Sequence, residues 1–173
     1  MSSKNEELRK VILPLIDNIR SSSSGEARMK ALGALWNLSV AAENRVYMGS
    51  KDLGLLPSLV AVVTSDNRDA RLQALGTLMN LSVADENREY ISSKDLGLLP
   101  TLVAVIISDH GVPRMGALET LWNLSYIAEN REYMGSMDLG LLPALMAVVT
   151  SDNGDARVEA LQILLHLSRA DEI

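Results

Sequence analysis

The stretch Ala31-Leu32-Gly33-Ala34-Leu35-Trp36-Asn37-Leu38-Ser39 returns as Ala74-Leu75-Gly76-Thr77-Leu78-Met79-Asn80-Leu81-Ser82 and again as Ala117-Leu118-Glu119-Thr120-Leu121-Trp122-Asn123-Leu124-Ser125. A looser copy, Ala160-Leu161-Gln162-Ile163-Leu164-Leu165-His166-Leu167-Ser168, follows. One rung of this ladder reads Asn37, Asn80, Asn123, His166, each 43 residues from the last. A constant spacing over several copies indicates stacked supersecondary units sharing a continuous core, not a conventional single-core domain. At the helical step of about 100° per residue, Ala31, Leu32, Leu35 and Leu38 gather on one arc. Gly33, Asn37 and Val40 fall on the opposite arc, with Trp36 at the flank. The stretch therefore predicts an amphipathic helix over Glu26 to Ala41 with Asn37 on its polar side.

The flanking sequence repeats in the same register. Glu43-Asn44-Arg45, Glu86-Asn87-Arg88 and Glu129-Asn130-Arg131 each follow a long helix and predict a short helix, with Glu and Asn capping its start. Gly54, Gly97 and Gly140 follow Asp-Leu, where a sharp bend calls for φ > 0. Leu55-Leu56-Pro57, Leu98-Leu99-Pro100 and Leu141-Leu142-Pro143 then open a middle helix, proline being favoured in a first turn. Turns are expected at Ser65-Asp66-Asn67, Ser108-Asp109-His110 and Ser151-Asp152-Asn153, and Pro113 marks another helix start. Before all this, Leu8, Val11, Ile12, Leu15, Ile16 and Ile19 form one apolar face over Asn5 to Arg20. Pro14 is expected to kink that helix or begin a second. Ser21 to Gly25 reads as a loop. The unit is short helix, middle helix, long helix. Residues 1–42 make a partial first repeat, followed by repeats at 43–85, 86–128 and 129–173 of a single all-α solenoid.

Composition narrows the function. The 173 residues are 47% hydrophobic and 22% charged, which is ordinary for a globular chain. A net charge of −6 and no dense run of Lys or Arg disfavour nucleic acid and anionic membrane as partners. Without cysteine there are no disulfides, thiolate metal sites or cysteine nucleophiles. The polar opening Met1 to Lys10 is not a signal segment, and no apolar run reaches membrane-span length. These features suggest a cytoplasmic protein, or a nuclear one.

Three helices per repeat, a glycine before Leu-Leu-Pro, and a long helix ending Leu-x-Asn-Leu-Ser resemble the armadillo-repeat family, of the beta-catenin, importin alpha and adenomatous polyposis coli type. The resemblance covers nearly the whole chain. It implies a right-handed superhelix whose long helices line a concave groove that binds extended peptides. Asparagines at the matching positions, Asn37, Asn80 and Asn123, would clamp the peptide backbone, with His166 on the fourth rung. The pocket-forming tryptophans that importin alpha carries four residues before the clamp are replaced here by Gly33, Gly76, Glu119 and Gln162.

Physical chemistry gives that clamp a rationale. An Asn amide offers both a donor and an acceptor, so it pairs with a strand backbone without reading its sequence. Long helices about 10 Å apart match the advance of three extended residues at about 3.3 Å each. The alternative is that each Asn bonds the backbone of a neighbouring helix. Trp36 and Trp122 flank the rung, and tryptophan is a frequent binding hot spot; their alternative role is packing between repeats. Glu119 lies on the same side, and Tyr126 breaks the Val40, Val83 pattern. Tyr47, Tyr90 and Tyr133 read as partly buried structural residues, and Arg45, Arg88 and Arg131 as a solvated face or partners of nearby acids.

No nucleophile–His–acid set, zinc signature or phosphate loop is present, so neither catalysis nor a cofactor is expected. The function expected is a non-enzymatic scaffold for an extended peptide. The alternative is a structural or self-associating module. Leu161, Leu164, Leu165 and Leu167 on the last long helix predict an end where some of them are exposed, suited to a longer array or an end-to-end homo-oligomer, because each large side chain left exposed forfeits roughly 1.5–3 kcal/mol of burial.

Overall fold

A computed structural model describes residues 3–21, 24–151 and 154–169. Every regular element among them is helical. The chain divides into two compact units, Met1–Tyr90 and Ile91–Ile173.

The first unit opens with α1 (Ser3–Arg20), α2 (Gly25–Val40) and α3 (Ala42–Met48). A 3₁₀ turn (Lys51–Leu53), α4 (Leu55–Val63) and α5 (Arg68–Ser82) follow, and the division falls within α6 (Asp85–Ser92). Helix α1 runs through Pro14 as one helix, so Pro14 does not begin a second one. Pro14 is exposed, so the carbonyl that loses its intrahelical partner lies on the wet side of the helix. The apolar face of α1 buries Ile12, Ile16 and Ile19 as it packs on α2 and α4. Helix α2 in turn packs on α5, burying Leu32 and Leu35, and α4 packs on α5. Each of those fully buried leucines contributes about 1.5–3 kcal/mol of transfer free energy.

The second unit contains α7 (Leu98–Ser108), α8 (Val112–Leu124), α9 (Ala128–Gly135), a 3₁₀ turn (Met137–Leu139), α10 (Leu141–Ser151) and α11 (Asp155–Ser168). Here α7 packs on α8 and α10, α10 on α11, and α11 on α8 and α9. Leu118, Leu121, Leu145 and Ile163 are fully buried between them.

Element boundaries follow local chemistry. Gly54, Gly97 and Gly140 adopt φ of 70°, 70° and 71°, the left-handed conformation that avoids a Cβ penalty only for glycine. Each is followed at once by α4, α7 or α10, with proline in the first turn. Ser24 Oγ accepts from Ala27 N at 3.0 Å and Asn67 Oδ1 from Ala70 N at 3.0 Å, so α2 and α5 have side-chain caps. Pro113 sits in the first turn of α8. The loop expected at Ser21 to Gly25 is shorter, since Ser24 already caps α2, and its residues 22 and 23 lie outside the described residues. So do residues 152 and 153 of the expected Ser151 turn.

In the Glu-Asn-Arg triplets Glu43 stands in the first turn of α3, its pKa lowered by its own backbone N–H and by Lys4, but Asn and Arg do something other than cap their own helix. Asn44 Nδ2 donates back to Leu38 O at 2.9 Å, and Arg45 donates to Ser39 O at 3.0 Å and Val40 O at 2.8 Å. Asn87 donates to Leu81 O at 2.9 Å, while Arg88 donates to Ser82 O at 2.9 Å and Val83 O at 3.0 Å. Asn130 donates to Leu124 O at 3.0 Å. Asn and Arg of the first two triplets, and Asn130 of the third, thus close the C-terminus of the preceding long helix. Carbonyls there have no intrahelical partner, and the helix dipole favours a cation. Donor-rich Asn and Arg suit that end better than a helix start, where acceptors are wanted.

Candidate long-helix binding faces

In the first unit the candidate residues sit on α2 and α5. Ser39 Oγ donates to Trp36 O at 2.6 Å, and Asn80 Nδ2 donates to Ser39 Oγ at 2.9 Å. Asn80 therefore bonds a side chain of the neighbouring long helix rather than its backbone. One N–H is fixed by this bond, and the carbonyl oxygen Oδ1 has no protein partner among the described residues. Asn37 is exposed beside Trp36, which is 41% exposed. The indole lies on Gly76: a Cβ built there would stand 2.8 Å from Trp36 Cε2, so this approach needs glycine.

In the second unit α8 presents Glu119 and Trp122 at i and i+3, one helical face, as it packs on α11, and Tyr126 follows in the turn after the helix. Trp122 and His166 stack with ring centroids 4.1 Å apart and planes 24° apart. Tyr126, 53% exposed, stands edge-on to both, 5.2 Å from Trp122 and 4.8 Å from His166. Ser125 Oγ donates to Trp122 O at 2.7 Å and stands 2.8 Å from His166 Nδ1. A serine hydroxyl has one hydrogen, here directed at Trp122 O, so Nδ1–H is the donor to Ser125. That leaves Nε2 of the neutral ring as an acceptor. His166 thereby repeats what Asn80 does toward Ser39 in the first unit. Burial holds its pKa below the ordinary value, and the nearby cations Arg169 and Arg131 add to the effect.

At the other end of this face, burial raises the pKa of Glu159, with the Glu119 and Asp155 carboxylates adding repulsion. Glu159 Oε2 is buried and has no hydrogen-bond partner among the described residues. Glu119 and Asn123 are half-buried. The structure thus brings Glu119, Trp122, Tyr126 and His166 onto one face, with Glu159 beside them, and Trp36, Asn37 and Asn80 onto another. The role of the serines went unread in the sequence, although the signal is plain: Ser39, Ser82, Ser125 and Ser168 recur two residues after each rung.

Tyr47, Tyr90 and Tyr133 are half-buried, as expected. Lys51 Nζ lies 4.9 Å from the Tyr90 ring centroid and Lys94 Nζ 4.9 Å from that of Tyr133, cation–π distances that the sequence did not announce. Among the described residues no cluster of His, Cys, Asp and Glu could hold a metal ion, and no helix is long and apolar enough to cross a membrane.

A family model described as kinesin-associated protein (KAP) matches residues 30–173. The chain belongs to the kinesin-associated protein family. No curated protein sequence matches it. Among solved structures, a designed armadillo repeat protein in complex with the peptide (KR)4 is similar at TM-score 0.79 and 19% identity, over 94% of this chain and 69% of that one. Computationally designed armadillo repeat proteins for modular peptide recognition match at TM-score 0.79 and 19% identity, over 90% of this chain and 63% of theirs. An engineered protein matches at TM-score 0.77 and 21% identity, over 91% of this chain. The chain spans 62% of that protein's length. At these identities the likeness shows the fold: this member of the kinesin-associated protein family is an all-α armadillo-repeat solenoid.

Proposed function

We propose that the chain holds extended segments of partner proteins against its long-helix faces without catalysing a reaction. The observation that carries this reading is the Asn80 amide, fixed by Ser39 through one N–H with its Oδ1 open. An amide held in place by the scaffold loses little freedom on meeting a ligand backbone. Asn37 and Asn123 occupy the same position of the repeat, and His166 offers Nε2 in place of an amide oxygen. On the second unit the Trp122 and Tyr126 rings offer apolar contact beside the Glu119 and Glu159 carboxylates. That combination favours a ligand with a Lys or Arg side chain, whose apolar stem and cationic head find matching surfaces. The (KR)4 complex of the designed relative is consistent with a basic ligand.

The test is a peptide array of extended segments, including basic ones and, given the family's name, segments of kinesin. It is repeated with Asn80→Ala plus Asn123→Ala and with Glu119→Gln plus Glu159→Gln, with circular dichroism confirming that each variant folds. Binding should fall in the Asn pair for all peptides, and in the Gln pair for basic ones only. Binders indifferent to both Asn residues would remove the clamp from the reading.

A further inference from the structure

We propose that a second copy of this chain stacks end to end on the first, with α1 and α2 of one copy seated on α10 and α11 of the other. The exposed side chains of α11 point to this contact. Leu161 is 46% exposed, whereas Leu32 and Leu118, at the same position of the repeat, are fully buried. Leu142, Val149 and Leu164 are likewise half-buried where Leu99, Ile106 and Leu121 are buried. Among the described residues nothing covers the α10–α11 face as α5 covers α2 or α11 covers α8.

The packing inside each unit defines what would fit there. On the first unit, Trp36 of α2 lies on Gly76 of α5, Ser39 accepts from Asn80, and Gly33 stands beside Gln73. On the second unit, Ser125 meets His166 and Glu119 faces Glu159, the same pairings at the same repeat positions. The corresponding residues of α11 are Leu165, Ser168 and Gln162. Ser168 Oγ already donates to Leu165 O at 2.8 Å, as Ser39 does to Trp36, so its lone pairs face outward to accept. The helix able to complete this set must carry a side-chain N–H donor opposite Ser168, as Asn80 and His166 do opposite Ser39 and Ser125. Helix α2 carries Asn37 there, and Asn37 is exposed.

The middle helices agree. In the first unit Arg20 of α1 donates to Ser58 Oγ at 2.7 Å and Gly54 O at 2.8 Å. The α10 counterpart of Arg20 is Val149, and the α1 counterparts of Gly54 and Ser58 are Val11 and Leu15. A polar pairing inside the chain becomes an apolar one at the proposed junction, and Val11 is 52% exposed. Two helices of about 16 and 21 Å set about 10 Å apart offer roughly 400 Å² per copy in projection, half of a standard interface, so association is weak. A head-to-tail contact leaves a free head and a free tail on every pair, so it adds further copies until a rotation closes a ring.

Sedimentation equilibrium from about 10 μM to about 1 mM tests this. The weight-average mass of the wild-type chain should rise above 18.8 kDa without levelling at the dimer. Leu161→Glu, blocking the tail, and Val11→Glu, blocking the head, should each stay monomeric; mixed together they should form a species of twice the chain mass and nothing larger. A second pair, Leu165→Glu and Asn37→Arg, serves if circular dichroism shows either variant misfolded. A wild-type chain monomeric throughout overturns the proposal. So does Val11→Glu that still self-associates alone, which would mean tail-to-tail contact, or a mixture that stays monomeric while the wild type assembles.

Discussion

Asn87→Ala should be among the most damaging single-amide changes in the first unit. Asn87 is 3% exposed, and its Nδ2 donates both to Leu81 O at 2.9 Å, ending α5, and to Arg45 O at 2.8 Å in α3. Truncation removes two short hydrogen bonds, each worth about 1 kcal/mol net, and leaves a gap beside Gly49. The backbone N–H of Gly49 still donates to Arg45 O, so that carbonyl is not orphaned, which limits the penalty. The loss expected is about 2–3 kcal/mol, or a Tm fall of roughly 5–10 °C for a chain of this size. Asn44 is the internal control: half-buried, it makes one such bond, to Leu38 O, and Asn44→Ala should cost about 1 kcal/mol. Urea unfolding monitored by circular dichroism gives both numbers, provided the m-value is unchanged. Asn87→Asp should exceed Asn87→Ala at neutral pH, because a buried carboxylate faces two carbonyl oxygens, and should recover in acid as the carboxyl gains a proton to donate. Equal losses in Asn87→Ala and Asn44→Ala, or a carboxylate tolerated at neutral pH, would refute the idea that this amide joins two helix ends.

The other expectations concern neighbouring groups. A Cβ at Gly49 would strike the Asn87 amide, whereas one at Gly135, the same position of the repeat, meets open space. Gly49→Ala should therefore destabilise while Gly135→Ala is neutral or stabilising by up to about 1 kcal/mol, both read from urea midpoints. The folded-state pKa of His166 lies below its ordinary 6.5, so the unfolded chain binds its proton first and the group's stabilising contribution, complete above 6.5, is lost as pH falls through the folded pKa. Trp122→Ala uncovers the imidazole, and NMR titration should find its pKa moved up toward the ordinary value. Glu159 shows the opposite linkage: its raised pKa means that stability present in acid is lost as pH rises through it, so Glu159→Gln should raise Tm at neutral pH and flatten the pH profile of stability.

What could be read from the sequence, and what could not, divides by the range of the interaction. Gly54, Gly97 and Gly140 announced their conformation because φ > 0 is a property of one residue and its neighbours. The burial of Leu32 and Leu35 followed from a periodicity contained within one helix. Pro14 does not end α1 because proline's cost depends on which side of the helix its unpaired carbonyl faces, and α1 turns that side to solvent. Asn87 reads from local sequence as a helix-start residue, but its partners lie on the preceding long helix and on α3, set by packing rather than by local chain direction. The same holds for Asn80 and His166. Their side of the helix was predictable, but the serine each one meets depends on how far one long helix is displaced along the next. That displacement comes from close contacts such as Trp36 on Gly76, which no single-helix pattern records. Yet once it is known for one pair of helices, the repeat carries it to the others. The substitution of His for Asn at residue 166 then becomes intelligible: an imidazole N–H can reach the same serine hydroxyl as an amide N–H, so the rung keeps its anchor while exchanging an amide oxygen for a titratable nitrogen.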